Sequence, residues 1–159
     1  MSTVRIPYET FQKTAPGAQA ALLAMGKSTD ESGLDKAIVE LAKLRVSQIN
    51  NCAFCLQIQL NVSRRHGLPQ EKLDLVATWH EAGIFSEREC AALAWAETLT
   101  RLPDKTVSDE AYDAVRRHFS EGETIFLSTA VATINAWNRL GVAFRFAPPI
   151  QKKAADKAA

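Results

Sequence analysis

The chain has 159 residues, with 19 Lys and Arg against 18 Asp and Glu, and 47% of its residues are hydrophobic. That length and apolar content suit one domain with its own core. The near balance of charge excludes the basic excess of a nucleic-acid binder, and the short basic pair Lys152-Lys153 does not supply one. The opening residues, MSTVRIPYETFQ, lack the apolar core of a signal peptide, and no run of about 20 apolar residues is present to span a bilayer. The reading is a cytoplasmic protein with neither nucleic acid nor membrane as partner.

In chain order, the spacing predicts helices over 17–25, 34–48, 52–66, 70–81, 87–101, 108–118 and 121–140. The second carries an apolar stripe of Leu34, Ile38, Leu41, Ala42 and Ile49, and the fifth repeats the period with Ala92, Trp95, Ala96 and Leu99. Helix starts are marked by a hydroxyl followed by an acid, which satisfies orphan backbone N–H groups: Ser32 with Asp35, Ser86 with Glu89 and Ser120 with Glu123. Ser108 opens a similar segment, Pro69 suits a first turn, and Asn50 or Asn51 serves as the cap of the third helix. Strand-like alternation is sustained nowhere. The fold class is therefore all-α, a single-domain helical bundle over 1–147 with a flexible tail at 148–159. The last helix is apolar on several faces, from Ile125 to Val142, which points to a central position or to burial by another subunit.

Three cysteines, two of them in Cys52-Ala53-Phe54-Cys55, do not make a secreted disulfide framework. At the start of a helix the pair sits where the positive end of the dipole favours a thiolate, and residues three apart share a face on which a disulfide can close. Three readings compete: a redox pair, half of a zinc site, and two buried small apolar residues. Zinc needs four ligands, and Cys90, His66, His80 and His118 supply no second paired motif. A thioredoxin-like arrangement lacks its strand and crossover.

The run Glu40-Leu41-Ala42-Lys43-Leu44-Arg45-Val46-Ser47-Gln48-Ile49-Asn50-Asn51-Cys52-Ala53-Phe54-Cys55 resembles the core motif of the alkylhydroperoxidase D-like (carboxymuconolactone decarboxylase-like) family. The stretch from Trp79 to Thr100, with Glu87-Arg88-Glu89 and Ala91-Ala92-Leu93-Ala94-Trp95-Ala96-Glu97, resembles it too, as does Ile134-Asn135-Ala136-Trp137-Asn138-Arg139-Leu140-Gly141-Val142. The resemblance implies an all-helical fold, homo-oligomers (trimers or hexamers) and peroxide reduction by a dithiol and disulfide cycle. Carried over, Cys55 matches the peroxide-attacking cysteine, Cys52 its resolving partner and Glu40 the proton-relay carboxylate. The dipole argument ranks the thiols the other way, because Cys52 is nearer the helix start. Where the family places a histidine, four residues after the second cysteine, this chain has Gln59, which cannot carry a proton at neutral pH. His66 shares that face but lies about 16 Å along the axis from Cys55.

Read without the resemblance, Glu40 falls opposite the apolar stripe and beside Lys36 and Lys43, as a solvated ion-pairing residue does. Trp79, Trp95 and Trp137 read as core fillers, Asn135 and Asn138 as ties between helices, and Cys90 as a buried inert thiol. No Gly-rich phosphate loop or other cofactor motif is present, so no bound cofactor or metal is expected. The functional expectation is a thiol peroxidase-like enzyme acting on a hydroperoxide with an external dithiol reductant. The alternatives are a non-redox decarboxylase-like enzyme acting on a small organic acid, and a non-catalytic oligomeric binding protein.

Overall fold

The computed structural model describes residues 3–150, and among these every regular element is helical. In order they are α1 (Tyr8–Thr14), α2 (Pro16–Asp30), α3 (Lys36–Ile49), α4 (Ala53–Arg65), α5 (Gln70–Leu75), a 3-10 turn (Val76–Thr78), α6 (Trp79–Ala82), α7 (Glu87–Arg101), a second 3-10 turn (Pro103–Lys105), α8 (Asp109–Arg116) and α9 (Glu121–Phe144). No described helix is long and apolar enough to cross a membrane.

The capping residues account for most of the boundaries. Ser86 and Ser120 form reciprocal capping boxes with Glu89 and Glu123, and the Ser108 side chain accepts from the Ala111 amide. Three starts differ from expectation. Asp35, not Ser32, caps α3 by accepting from the Ala37 amide at 2.8 Å, while the Ser32 hydroxyl turns back to donate to the Thr29 carbonyl. Cys52, not Asn50 or Asn51, caps α4, its sulfur accepting from the Cys55 amide at 3.3 Å. Helix α1, absent from the sequence reading, starts after Pro7, where the fixed φ of proline leads the chain into the first turn. The predicted helix over 70–81 is broken by the 3-10 turn, and α2 runs five residues beyond its predicted end, through Gly26 to Asp30.

Helix α3 lies at the centre, packed against α4, α7 and α9. Its expected stripe is buried from Leu34 to Ala42 and half-buried at Ile49, but Val39, Glu40, Leu44, Val46 and Ser47 on the other faces are buried too. The chain leaves α3 through a Schellman turn: the Cys52 amide donates to the Ser47 carbonyl and the Asn51 amide to Gln48, with Asn51 in the left-handed region at φ 52°. Asparagine tolerates that conformation better than most residues with a side chain. The same turn is tied to α9, because the Asn50 side-chain Nδ2 donates to Asn135 Oδ1 at 2.8 Å and Asn138 Oδ1 at 2.9 Å, and Asn138 Nδ2 donates to Ser47 Oγ at 3.2 Å. The asparagines thus join helices as read from the sequence.

The core divides in two. One part joins α1, α3, α4, α7 and α9 around Ala42, Val46, Leu127 and Val131; the other joins Leu41, Leu44 and Leu93 to Leu73, Val76 and Trp79. Residues 151–159 of the expected tail lie outside the described residues, while the Pro149 carbonyl accepts from Asn61 of α4.

Candidate functional site

Cys52 and Cys55 are bonded as a disulfide, with Cα atoms 5.4 Å apart, and both are buried. The turn after α3 positions the pair, and α9 holds it from the other side. A Cβ added at Gly141 would fall 2.6 Å from the Cys52 sulfur and 3.2 Å from that of Cys55, so the bridge lies directly on the backbone of α9. Gly141 stands in the stretch from Ile134 to Val142 that resembles the family, where the sequence alone shows no role for it. The open signal was a glycine in the interior of an apolar helix, which costs helix stability unless close approach requires it.

Beside Cys55 is a cavity of about 310 Å³. Cys55 and Gln59, one turn apart on α4, share its wall with Lys43 of α3. The remainder is mostly apolar: Tyr8, Phe54, Ile58, Ile134 and Trp137 among others, with Leu22 and Leu23 of α2. Tyr8 lies 5.1 Å from Phe54 and 5.2 Å from Phe146 between ring centroids, and Phe11 lies 6.1 Å from Trp137. The unanticipated α1 therefore supplies two aromatic rings to the cluster at the site.

Glu40 is only 3% exposed, which corrects the expectation of a solvated face. The helix it belongs to packs against α4, α7 and α9, so Glu40 on the polar side of its amphipathic pattern lies inside, while Lys36 stays exposed. Lys43, one turn on, donates to its Oε1 at 2.7 Å. Glu40 thus reaches the cavity through the Lys43 ammonium. Its Oε2 has no hydrogen-bond partner among the described residues, and neither does Gln59 Oε1 or Ser63 Oγ, although all three are buried. Buried polar atoms are rarely left so.

The other expected candidates lie elsewhere. His66 caps the C-terminus of α4 and is exposed, His80 stacks on Trp79, and the His118 carbonyl accepts from Arg88. Cys90 is half-buried rather than buried; burial and the neighbouring Glu89 carboxylate push its thiol up, away from reactivity. No cluster of three or more His, Cys, Asp or Glu side chains suited to a metal occurs among the described residues.

The carboxymuconolactone decarboxylase family model matches residues 16–98, which includes α3, the cysteine pair and most of α7. The chain belongs to the carboxymuconolactone decarboxylase family. Its relatives include the uncharacterized protein YdfG of Bacillus subtilis, 34% identical over 134 residues, a match that covers 84% of this chain and 91% of YdfG. A protein of unknown function from Agrobacterium tumefaciens, with a proposed role as the antioxidant-defence protein AhpD, superposes with a TM-score of 0.87 at 34% identity; the match covers 94% of this chain and 100% of that one. An uncharacterized peroxidase-related protein from Ralstonia eutropha shares the fold, with a TM-score of 0.77 at 20% identity over 87% of this chain and 74% of the other. In this family member, residues 99–159, including α9 with Gly141, lie beyond the matched segment.

Proposed function

We propose that the protein is a thiol-dependent peroxidase-like oxidoreductase working through the Cys52 and Cys55 pair. The observation that carries this reading is the placement of Cys55 on the wall of an apolar cavity with Cys52 within bonding reach. The antioxidant role proposed for the Agrobacterium relative points the same way. The Cys55 thiolate attacks the terminal oxygen of a hydroperoxide, the O–O bond breaks, and the alcohol leaves after protonation. The resulting sulfenic acid is then attacked by the Cys52 thiol, releasing water and forming the disulfide, which an external dithiol reduces. In this reading Cys55 is the nucleophile, because it faces the cavity; Cys52 resolves; and Glu40 moves the proton, with Lys43 between it and the cavity. Gln59 holds the substrate by hydrogen bonding and does not carry the proton. A reducing cytoplasmic setting belongs to the same reading.

Mass spectrometry of the reduced protein after a single equivalent of an organic hydroperoxide tests it, with Cys52→Ser and Cys55→Ser alongside. The expected result is a rapid Cys52–Cys55 disulfide in the wild type, with sulfenic acid trapped on Cys55 in the Cys52→Ser variant. Unreacted thiols over the same interval would overturn the reading.

The second reading, a non-redox decarboxylase-like enzyme for a small organic acid, is favoured by Gln59 standing where the relay histidine is expected. Turnover of such an acid that survives replacement of both cysteines by serine would establish it. We further propose a homo-oligomer, trimer or hexamer, assembled through the exposed apolar residues Met25, Tyr112 and Ile125, which are 40%, 45% and 56% exposed. Sedimentation of Ile125→Glu at the expected monomer mass would support that surface, and an unchanged assembly would exclude it.

A further inference from the structure

The two cysteines open onto different cavities. Cys55 lines the substrate cavity, which Cys52 does not line. Cys52 lines a second cavity of about 380 Å³, which Cys55 does not line, between the start of α4, the end of α9 and the residues following α9. Among the described residues, Phe54 is the one lining residue the two have in common. Cys52, Phe54, Gly141 and Phe146 are the buried lining residues of the second cavity, and among the described residues the one charged side chain lining it is Arg145, held at the C-terminus of α9 with φ 54°.

Thiol and disulfide exchange is an in-line displacement: the incoming thiolate approaches along the extension of the S–S bond and the distal sulfur leaves. A thiolate entering the second cavity meets Cys52 and expels Cys55, whereas one entering the substrate cavity meets Cys55 and expels Cys52. Gly141 helps decide between them. With no Cβ, it lets the sulfurs lie against the helix while leaving the space beside Cys52 unfilled. Arg145 supplies a cation beside Cys52, as Lys27 and Lys43 do, with Asp30, around the cavity at Cys55, so access to the sulfur rather than charge distinguishes the two sides.

We infer that the disulfide is served from two faces: hydroperoxide enters by the cavity at Cys55, and a dithiol reductant attacks Cys52 through the separate cavity bounded by Gly141, Val142 and Arg145. One reductant sulfur bonds Cys52 as the Cys52–Cys55 bond breaks, and Cys55 leaves as the thiolate needed for the next peroxide. The second reductant thiol then displaces Cys52, which takes up a proton, and the reductant departs as its own disulfide. Oxidant and reductant thus do not compete for one entrance. The inference rests on the dithiol cycle proposed above, but the direction of attack can be tested apart from it.

The test starts from protein whose pair has been closed with diamide, so that no peroxide chemistry is required. Reduction by dithiothreitol is timed for the wild type, for Val142→Trp, which obstructs the second cavity from an exposed position, and for Gly26→Trp, which obstructs the substrate cavity. Val142→Trp is expected to slow reduction about tenfold and Gly26→Trp to leave it unchanged, because exchange rates follow access to the attacked sulfur. In parallel, a pulse of glutathione on the diamide-closed wild type, followed at once by alkylation, should leave the glutathione adduct on Cys52 and the alkyl group on Cys55. Equal slowing by both variants, no slowing by Val142→Trp, a wild-type pair that dithiothreitol cannot reduce, or glutathione found on Cys55 would each overturn the inference. If hydroperoxide fails to close the pair while the diamide-closed protein behaves as expected, the peroxidase reading falls and the two-sided access stands.

Discussion

Two buried glutamates, Glu40 on α3 and Glu97 on α7, show how differently the same side chain can be used. Glu97 is saturated: Oε1 accepts from Arg45 Nε at 2.6 Å and Trp79 Nε1 at 3.1 Å, and Oε2 accepts from Arg101 at 2.7 Å. Those contacts join α3, α6 and α7. Burial pushes its carboxyl up, but the hydrogen bonds from Trp79 and Arg45 and the charges of Arg45 and Arg101 outweigh that and hold it below the ordinary value. Glu40 has one lysine and an oxygen without a partner among the described residues, near a cavity that holds a cysteine. A fully paired carboxylate braces a fold, whereas one with a free lone pair can accept a proton.

The largest effect that would test this contrast is on stability. Glu97→Ala strands two arginines and an indole N–H, and should cost about 3 to 5 kcal/mol in urea unfolding, as removal of one partner from a buried ion pair does. The variant that remains folded should still form the Cys52–Cys55 disulfide at the wild-type rate. Glu40→Gln should do the reverse, slowing peroxide oxidation of the pair by roughly a hundredfold, the scale of one lost general base, with a stability change of under about 1 kcal/mol. If Glu40→Gln loses mainly stability, the two glutamates are alike and the contrast fails.

Gln59→His sharpens the same contrast from the other side, since it places an ionisable group on the cavity wall one turn from Cys55. A gain of about tenfold in the oxidation rate is expected, with a new pH dependence near the histidine range of about 6 to 7. Smaller still is the acid response of the saturated carboxylates. Glu89 resembles Glu97: burial raises it, but hydrogen bonds from Lys72 and the Ser86 amide prevail and its carboxyl is held low. Because the folded values lie below the unfolded one, near 4.3, the stability these groups add is complete above about pH 5 and is lost as pH falls through the folded values. Urea midpoints between pH 7 and pH 3 should show that decline, and Lys72→Met should make it shallower.

The helix caps show how much of the fold could be read from the chain. Ser86 with Glu89 and Ser120 with Glu123 were legible because both partners of a capping box lie within one turn of sequence. Ser32 with Asp35 has the same spacing but an aspartate in place of the glutamate, and Asp35 is itself the cap. Helix α1 is not legible in the chain because its seven residues carry no sustained period, and only the packing of Tyr8 and Phe11 against Phe54, Trp137 and Phe146 gives it a place. At the site, the cysteine pair and the departure at Gln59 were visible as spacing, whereas the burial of Glu40 ran against the pattern of its own helix.

By itself the sequence determined what depends on neighbours along the chain: an all-helical class, most helix starts, a cysteine pair one turn apart and the family to which the chain belongs. Tertiary structure decided what depends on segments distant in sequence. It made α3 a central helix and so turned Glu40 inward, and it saturated Glu97 while leaving a Glu40 oxygen without a partner among the described residues. It also laid the Cys52–Cys55 bridge on Gly141 and placed the two sulfurs beside different cavities. Periodicity reports which face of a helix is apolar, but not whether a second layer covers the opposite one, and in this protein that second layer makes the site.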